Sequence, residues 1–215
     1  MAKAARRTQA ERSGSTRKLL LDAAIDCLVK RGYANTTTTE IADRAGVSRG
    51  AQLHHFPSKA ELVSAALDHL FKRRHEEYLQ AMADLPGGAD RAAASIDLLW
   101  KVMTGPAFYA WLELVVAART DGALRKSISA IAGQLALSVE ASFREQFPDA
   151  QEGPFAAVAP GFTFAVLQGL ALENILEGKP QRERVQRVLD AFRGLSQLVL
   201  PEVHAPARDV TRRSR

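Results

Sequence analysis

Between Thr36 and Lys59 the chain reads TTTTEIADRAGVSRGAQLHHFPSK, and this stretch holds the side chains best suited to grip a polyanion. Arg49 carries a planar guanidinium that can bond guanine through two parallel hydrogen bonds, worth about 1–3 kcal/mol of discrimination between bases. Gly50 and Ala51 are small and permit close approach, and Ala51 can touch a thymine methyl group. Thr38 and Thr39 place hydroxyls and free N–H groups at a helix start, a suitable seat for a phosphate. The His54–His55 pair suggests a metal at first sight. A metal site needs further ligands, and the sequence arranges none nearby, so no metal and no cofactor is expected.

These residues need a rigid frame, and the local signals supply one. Thr37 or Thr38 can cap a first helix, with Glu40 supporting its start. Ile41, Ala42 and Ala45 form its apolar stripe. Gly46 permits the left-handed backbone that ends a helix, and Val47 turns into the core. Ser48 caps a second helix over about residues 48–54; its expected role is that of a cap first and a phosphate contact second. Pro57, Ser58 and Lys59 break the chain and start another helix. Helix, short turn, helix is the geometry that lays a second helix in the major groove of DNA.

Further helices are expected at 15–31, 59–85, 90–103, 106–119, 122–146, 154–177 (kinked or delayed by Pro160) and 181–199. Pro86-Gly87-Gly88, Gly105-Pro106, Asp121-Gly122, Pro148 to Gly153 and Gly178-Lys179-Pro180 separate them. No alternation of the strand type stands out, so the fold class is all-α. The expected organisation is a flexible basic arm (1–14), a helix-turn-helix domain (15–58), a helical ligand-binding and dimerisation domain (59–200) and a flexible tail (201–215).

Charge is divided unevenly. Residues 1–59 hold 11 Lys/Arg against 5 Asp/Glu, whereas residues 60–215 hold 18 against 19. A basic module on a near-neutral body suits a polyanionic partner. Lys3, Arg6, Arg7 and Arg12 lie in the arm, and Arg17 and Lys18 near the first helix start can reach a phosphate or the minor groove. One cysteine excludes an internal disulfide framework and fits a reducing cytoplasm, and no apolar run follows the N-terminal charges to suggest a secretory signal. The uncharged stretch Gly153 to Leu172 is about as long as a membrane span. It contains Pro154, Pro160, Gly161, Thr163 and Gln168, so burial between helices or subunits is the expectation and no membrane partner is foreseen. An enzyme acting on an apolar molecule is the competing class, but nucleophile elbow, phosphate loop and dinucleotide fingerprint are all missing. Isolated acids such as Asp97 and Glu113 suit solvent or capping roles.

From about Leu19 to Leu70 the chain resembles the TetR family of bacterial transcriptional regulators. LLDAAIDCLVKRGY, TTTTEIADRAGVSRG and HHFPSKAELV carry the resemblance, and LQGLALENILEG is similar to the penultimate helix of many members. The resemblance implies that Arg49, Gly50 and Ala51 read bases and that His55 and Lys59 hold the DNA backbone. Where the family has leucine then tyrosine, this chain has Gln52 and Leu53. The tyrosine's phosphate contact then falls to Gln52 or His54, or is lost, while Leu53 supplies an apolar anchor. The resemblance also implies a homodimer built on the last two helices, through Gly169, Leu172, Ile175, Val185, Val188, Leu189 and Phe192. A lipophilic effector would lie among Trp100, Met103, Phe108, Tyr109, Trp111, Phe143 and Phe164, oriented by Glu113, Tyr109 and Gln168. The function implied is a repressor released from a palindromic operator; a non-sensing regulator or an activator of the same fold is the alternative.

Overall fold

Every regular element among the described residues is helical. The computed structural model describes residues 9–86, 90–148, 150, 157–176 and 178–199. The helices are α1 (Gln9–Arg31), α2 (Thr38–Ala45), α3 (Arg49–His55), α4 (Lys59–Ala83), α5 (Arg91–Met103), α6 (Pro106–Ala117), α7 (Gly122–Gln146), α8 (Ala159–Ile175) and α9 (Lys179–Val199).

Local chemistry sets most boundaries. Thr37 is the cap of α2, its hydroxyl accepting from the Glu40 amide at 3.2 Å. Gly46 ends α2 at φ +66°, and the Val47 N–H returns to the Ala42 carbonyl at 3.0 Å, closing the last turn. Ser48 accepts from the Ala51 amide at 3.2 Å, Ser58 from Glu61 at 3.1 Å, Asp90 from Ala93 at 2.9 Å and Asp121 from Leu124 at 2.9 Å. Pro160 lies in the first turn of α8, where its missing N–H costs nothing, so the helix starts late. Several ends shift by one or two residues, and the start of the first helix differs more. α1 begins at Gln9 and not near Ser15, because residues 9–12 (QAER) are good helix formers that extend the helix without an apolar face. The rest of the expected arm, the tail, Gly87-Gly88 and the start foreseen at residue 154 lie outside the described residues.

The chain forms two compact units. The first comprises residues through Arg74 together with Gly105–Leu135; the second comprises His75–Thr104 and the residues from Ala136. In the first, Leu20, Leu21, Ala24 and Leu28 of α1 pack with Ile41, Phe56, Leu62, Leu67 and Leu70 and with Ala110, Leu114 and Leu124. The helix-turn-helix therefore stands on a core shared with α6 and the start of α7. Cys27 is buried in that core, and burial pushes its thiol pKa up. In the second unit, α5, α8 and α9 pack on one another. Arg193 of α9 grips Asp97 of α5 at 2.6 and 2.8 Å, and Arg184 bonds Glu173 of α8 at 2.8 Å. Asp97 thus serves as an ion-pair partner. Among the described residues no helix is long and apolar enough to cross a membrane, and no group of His, Cys, Asp or Glu side chains is placed to hold a metal ion.

Candidate nucleic-acid interface

α3 is only seven residues long, and Gln52 within it and Phe56 just after it hold it to the protein. Gln52 is fully buried and Phe56, its C-cap, nearly so. The Gln52 side-chain amide donates to the Phe56 carbonyl at 2.7 Å, while its Oε1 is buried without a hydrogen-bond partner. Gln52 is therefore turned away from any ligand outside α3, which corrects the expectation that it takes over a phosphate contact. Leu53 is the reverse case: it is 46% exposed, which corrects the expectation that it serves as an apolar anchor. Where the family pattern has leucine, this chain has a buried amide satisfied only through its N–H, and where the pattern has tyrosine it has an exposed leucine.

The outward face of α3 carries Arg49, Gly50, Leu53 and His54. Arg49 donates through Nη1 to the hydroxyl of Thr39 on α2, so the two helices of the motif are linked at the face they present. Thr38 is half-buried at the first position of α2 and Thr39 is exposed. Ser48 is exposed and occupied as the α3 cap, and Ala51 is half-buried. The His54 and His55 rings meet edge to face with centroids 5.5 Å apart, the first exposed and the second half-buried. Arg17 lies with its guanidinium carbon 5.2 Å from the centre of the Phe56 ring, and Lys18 is exposed beside it in sequence.

Lys59 is placed differently from Arg49. Its ammonium donates to the Tyr33 carbonyl at 2.5 Å and sits 3.9 Å from the centre of the Tyr33 ring. Burial holds its pKa below the usual lysine value. Two of its three N–H groups remain for a phosphate. The same turn is held from the other side. Gly32 ends α1 at φ +72°, and the Glu113 carboxylate accepts from the Tyr33 amide at 2.8 Å. A side chain at Gly32 would meet that carboxylate at 2.6 Å. The Tyr33 hydroxyl, 3.5 Å from Asp121, has its pKa raised by burial and then by that carboxylate.

Glu113 thus fastens α6 to the end of α1, 80 positions away in sequence, and this corrects its expected role of orienting a ligand. Trp111 packs on Phe71 with ring centroids 5.6 Å apart, against the same core. Phe108 is buried and Tyr109 half-buried, their centroids 6.2 Å apart, also on α6. The remaining ligand candidates belong to the second unit. Phe143 stacks on Phe147 at 5.4 Å in a small core with Met82 and Ala92. Met103 is buried, while Trp100, Phe164 and Gln168 are half-buried on α5 and α8, which pack together.

The expected dimer residues separate into two sets. Val185, Leu189 and Phe192 are 3%, 1% and 8% exposed, so they belong to the internal core of α9 and are corrected as interface residues. Leu172, Ile175, Val188 and Leu195, which the sequence also offers as apolar surface, are exposed, as are Phe162 and Leu176, which sequence reasoning left out of the interface set. Gly169 is exposed on α8 with nothing within 4 Å of where a Cβ would stand.

Comparison with known proteins agrees with this architecture. The family profile of bacterial regulatory proteins, TetR family, matches residues 20–66. The HTH-type transcriptional regulator Mb2936c of Mycobacterium bovis, itself described as uncharacterised, is 30% identical over 172 residues, 80% of this chain and 84% of that protein. CymR of Pseudomonas putida, an HTH-type transcriptional regulator, is 39% identical over 57% of this chain and 61% of its own length. The solved structure of the multidrug binding protein EbrR complexed with ethidium aligns with a TM-score of 0.60 at 22% identity, covering 87% of this chain and 99% of EbrR. The chain belongs to the TetR family of bacterial regulatory proteins. It is a helix-turn-helix transcriptional regulator.

Proposed function

We propose that this regulator binds a palindromic operator as a homodimer in the cytoplasm and is a repressor released by a lipophilic small molecule. The observation that carries the DNA-reading part is the outward face of α3: Arg49 is presented beside Gly50 and tied to Thr39 of the preceding helix. Arg49 reads a guanine, and Ser48, Thr38, Thr39, His54, His55, Lys59, Arg17 and Lys18 supply hydroxyls and positive charge for the backbone. The functional division is a DNA-binding part through residue 58 and a ligand-binding and dimerisation part beyond it.

The face of α8 and α9 formed by Leu172, Ile175, Val188, Phe162 and Leu195 takes a second copy of itself, with Gly169 allowing close backbone approach. Two recognition helices at fixed spacing then read half-sites about 34–36 Å apart, or a multiple of that. Trp100, Met103, Phe164 and Gln168 line the effector site; EbrR, solved with ethidium, supports an apolar or aromatic ligand. The effector favours a state in which the two α3 helices no longer match the groove, and α4, which passes from one unit into the other, carries the change.

Selection of bound duplexes from a random pool tests the reading. A palindrome with two equal half-sites is the expected product, and a pool without enrichment at low salt contradicts it. Adding ethidium to the selected complex is a first probe of release; it tests the effector class separately from DNA reading.

A further inference from the structure

Leu53 is an apolar side chain on a face otherwise made for polar work. Its neighbours on the outward side of α3 are Arg49, four positions earlier and thus stacked above it along the helix, Gly50 and His54. Gly50 adds no side chain, and a Cβ there would approach nothing closer than the Ser48 hydroxyl at 4.0 Å, so the strip between Arg49 and Leu53 is open. Leu53 is 46% exposed because the inward position of this turn is taken by the fully buried Gln52. A leucine has no donor or acceptor and cannot hold a phosphate. In the major groove the apolar group it can meet is the 5-methyl of thymine, which no other base of ordinary DNA carries.

We propose that Leu53 is a specificity-determining residue that reads a thymine 5-methyl group. The inference rests on the DNA-reading function proposed above and moves the methyl contact from Ala51 to Leu53. Ala51 is half-buried, whereas Leu53 stands further out on the same short helix as Arg49. The cationic surroundings, Arg49 on α3 with Arg17 and Lys18 on α1, favour duplex DNA over an apolar peptide as the partner. Removing one methyl group from water changes affinity by about fourfold, so each half-site gains a modest but readable preference.

The test uses the full-length protein and a duplex enriched by it from a random pool. Each thymine of one half-site is replaced in turn by deoxyuridine, which differs only in lacking the methyl group. Wild type should lose about fourfold in affinity at one position. Leu53→Ala should bind the thymine duplex about fourfold more weakly and be indifferent to the replacement there, while Leu53→Met and Ala51→Gly keep the sensitivity. The assignment is overturned if wild type ignores every replacement, or if Leu53→Ala keeps the full penalty. A pool that yields no enriched duplex overturns the DNA-reading function itself and this inference with it. An enriched duplex without methyl dependence removes Leu53 alone.

Discussion

α3 and the α8–α9 pair each bury one stripe and leave another outside, and the two outer stripes are built from opposite materials. α3 is anchored by Gln52 and Phe56 and presents an arginine, a glycine, a leucine and a histidine. α8 and α9 are anchored by Leu167, Leu170, Val185 and Leu189 and present Phe162, Leu172, Ile175, Val188 and Leu195. A charged strip with one apolar group keeps its hydration until it meets a surface offering both phosphate and methyl groups. Exposed apolar side chains in such number are unfavourable in water and suit a self-complementary partner. Exposure, and not residue type alone, separates these uses: Leu189 and Val188 are adjacent in sequence, yet one is core and the other is surface.

The sharpest way to break the contrast is to put a charge into the apolar strip. Ile175→Glu leaves a 39% exposed position soluble in the single subunit but sets two unpaired carboxylates into a two-fold interface. Dimer affinity should fall by about 4 kcal/mol, read by sedimentation equilibrium, with the melting of the subunit little changed. Next in size, Arg49→Ala should cost about 1–3 kcal/mol at one base position, seen as relaxed preference in a repeat selection. Equal specificity would take arginine off the base-reading face.

Gln52→Leu tests the inward side of α3. It removes a buried amide oxygen that lacks a partner, and should raise stability by about 1 kcal/mol in urea unfolding. A loss of that size would mean that the bond to Phe56 matters more than the orphaned oxygen. Lys59→Ala should weaken binding to all sequences and reduce the slope of log affinity against log salt by about one. An unchanged slope with a lower unfolding midpoint would assign Lys59 to the Tyr33 turn alone.

The smallest effect is expected at Asp26, which accepts from Lys30 at 3.0 Å and Arg44 at 2.6 Å. The Lys30 hydrogen bond holds its pKa below 3.8; burial opposes it, and the Arg44 hydrogen bond adds to the lowering. The folded state therefore gains stability above pH 3.8 and loses it as pH falls through the folded value. Asp26→Asn should cost about 0.2–1 kcal/mol at pH 7, the range of solvent-screened pairs, and progressively less as the pH of the measurement falls below 3.8. A cost independent of pH would assign the effect to packing.

Much of the fold was legible because helix ends are chosen locally. Thr37, Gly46, Ser48, Ser58 and Asp121 act within three or four residues of themselves, and the structure uses each as its type suggests. The register of α3 was not legible. Seven residues are too few to show a period, and the polar Gln52 and apolar Leu53 stand in exchanged places. In α9 the difficulty was an excess of signal: two apolar stripes share the helix, and only tertiary packing decides that Val185, Leu189 and Phe192 turn inward. The Glu113–Tyr33 bond spans 80 positions and leaves no local trace.

The central claim is that two copies, joined through α8 and α9, place two α3 helices on one palindrome. Stoichiometry of the protein on the selected duplex, measured by sedimentation or native mass, tests it most directly. The account predicts two chains per palindrome, with Ile175→Glu unable to form that complex at the same concentration. A single chain bound with full affinity and specificity, by wild type and Ile175→Glu alike, would contradict it.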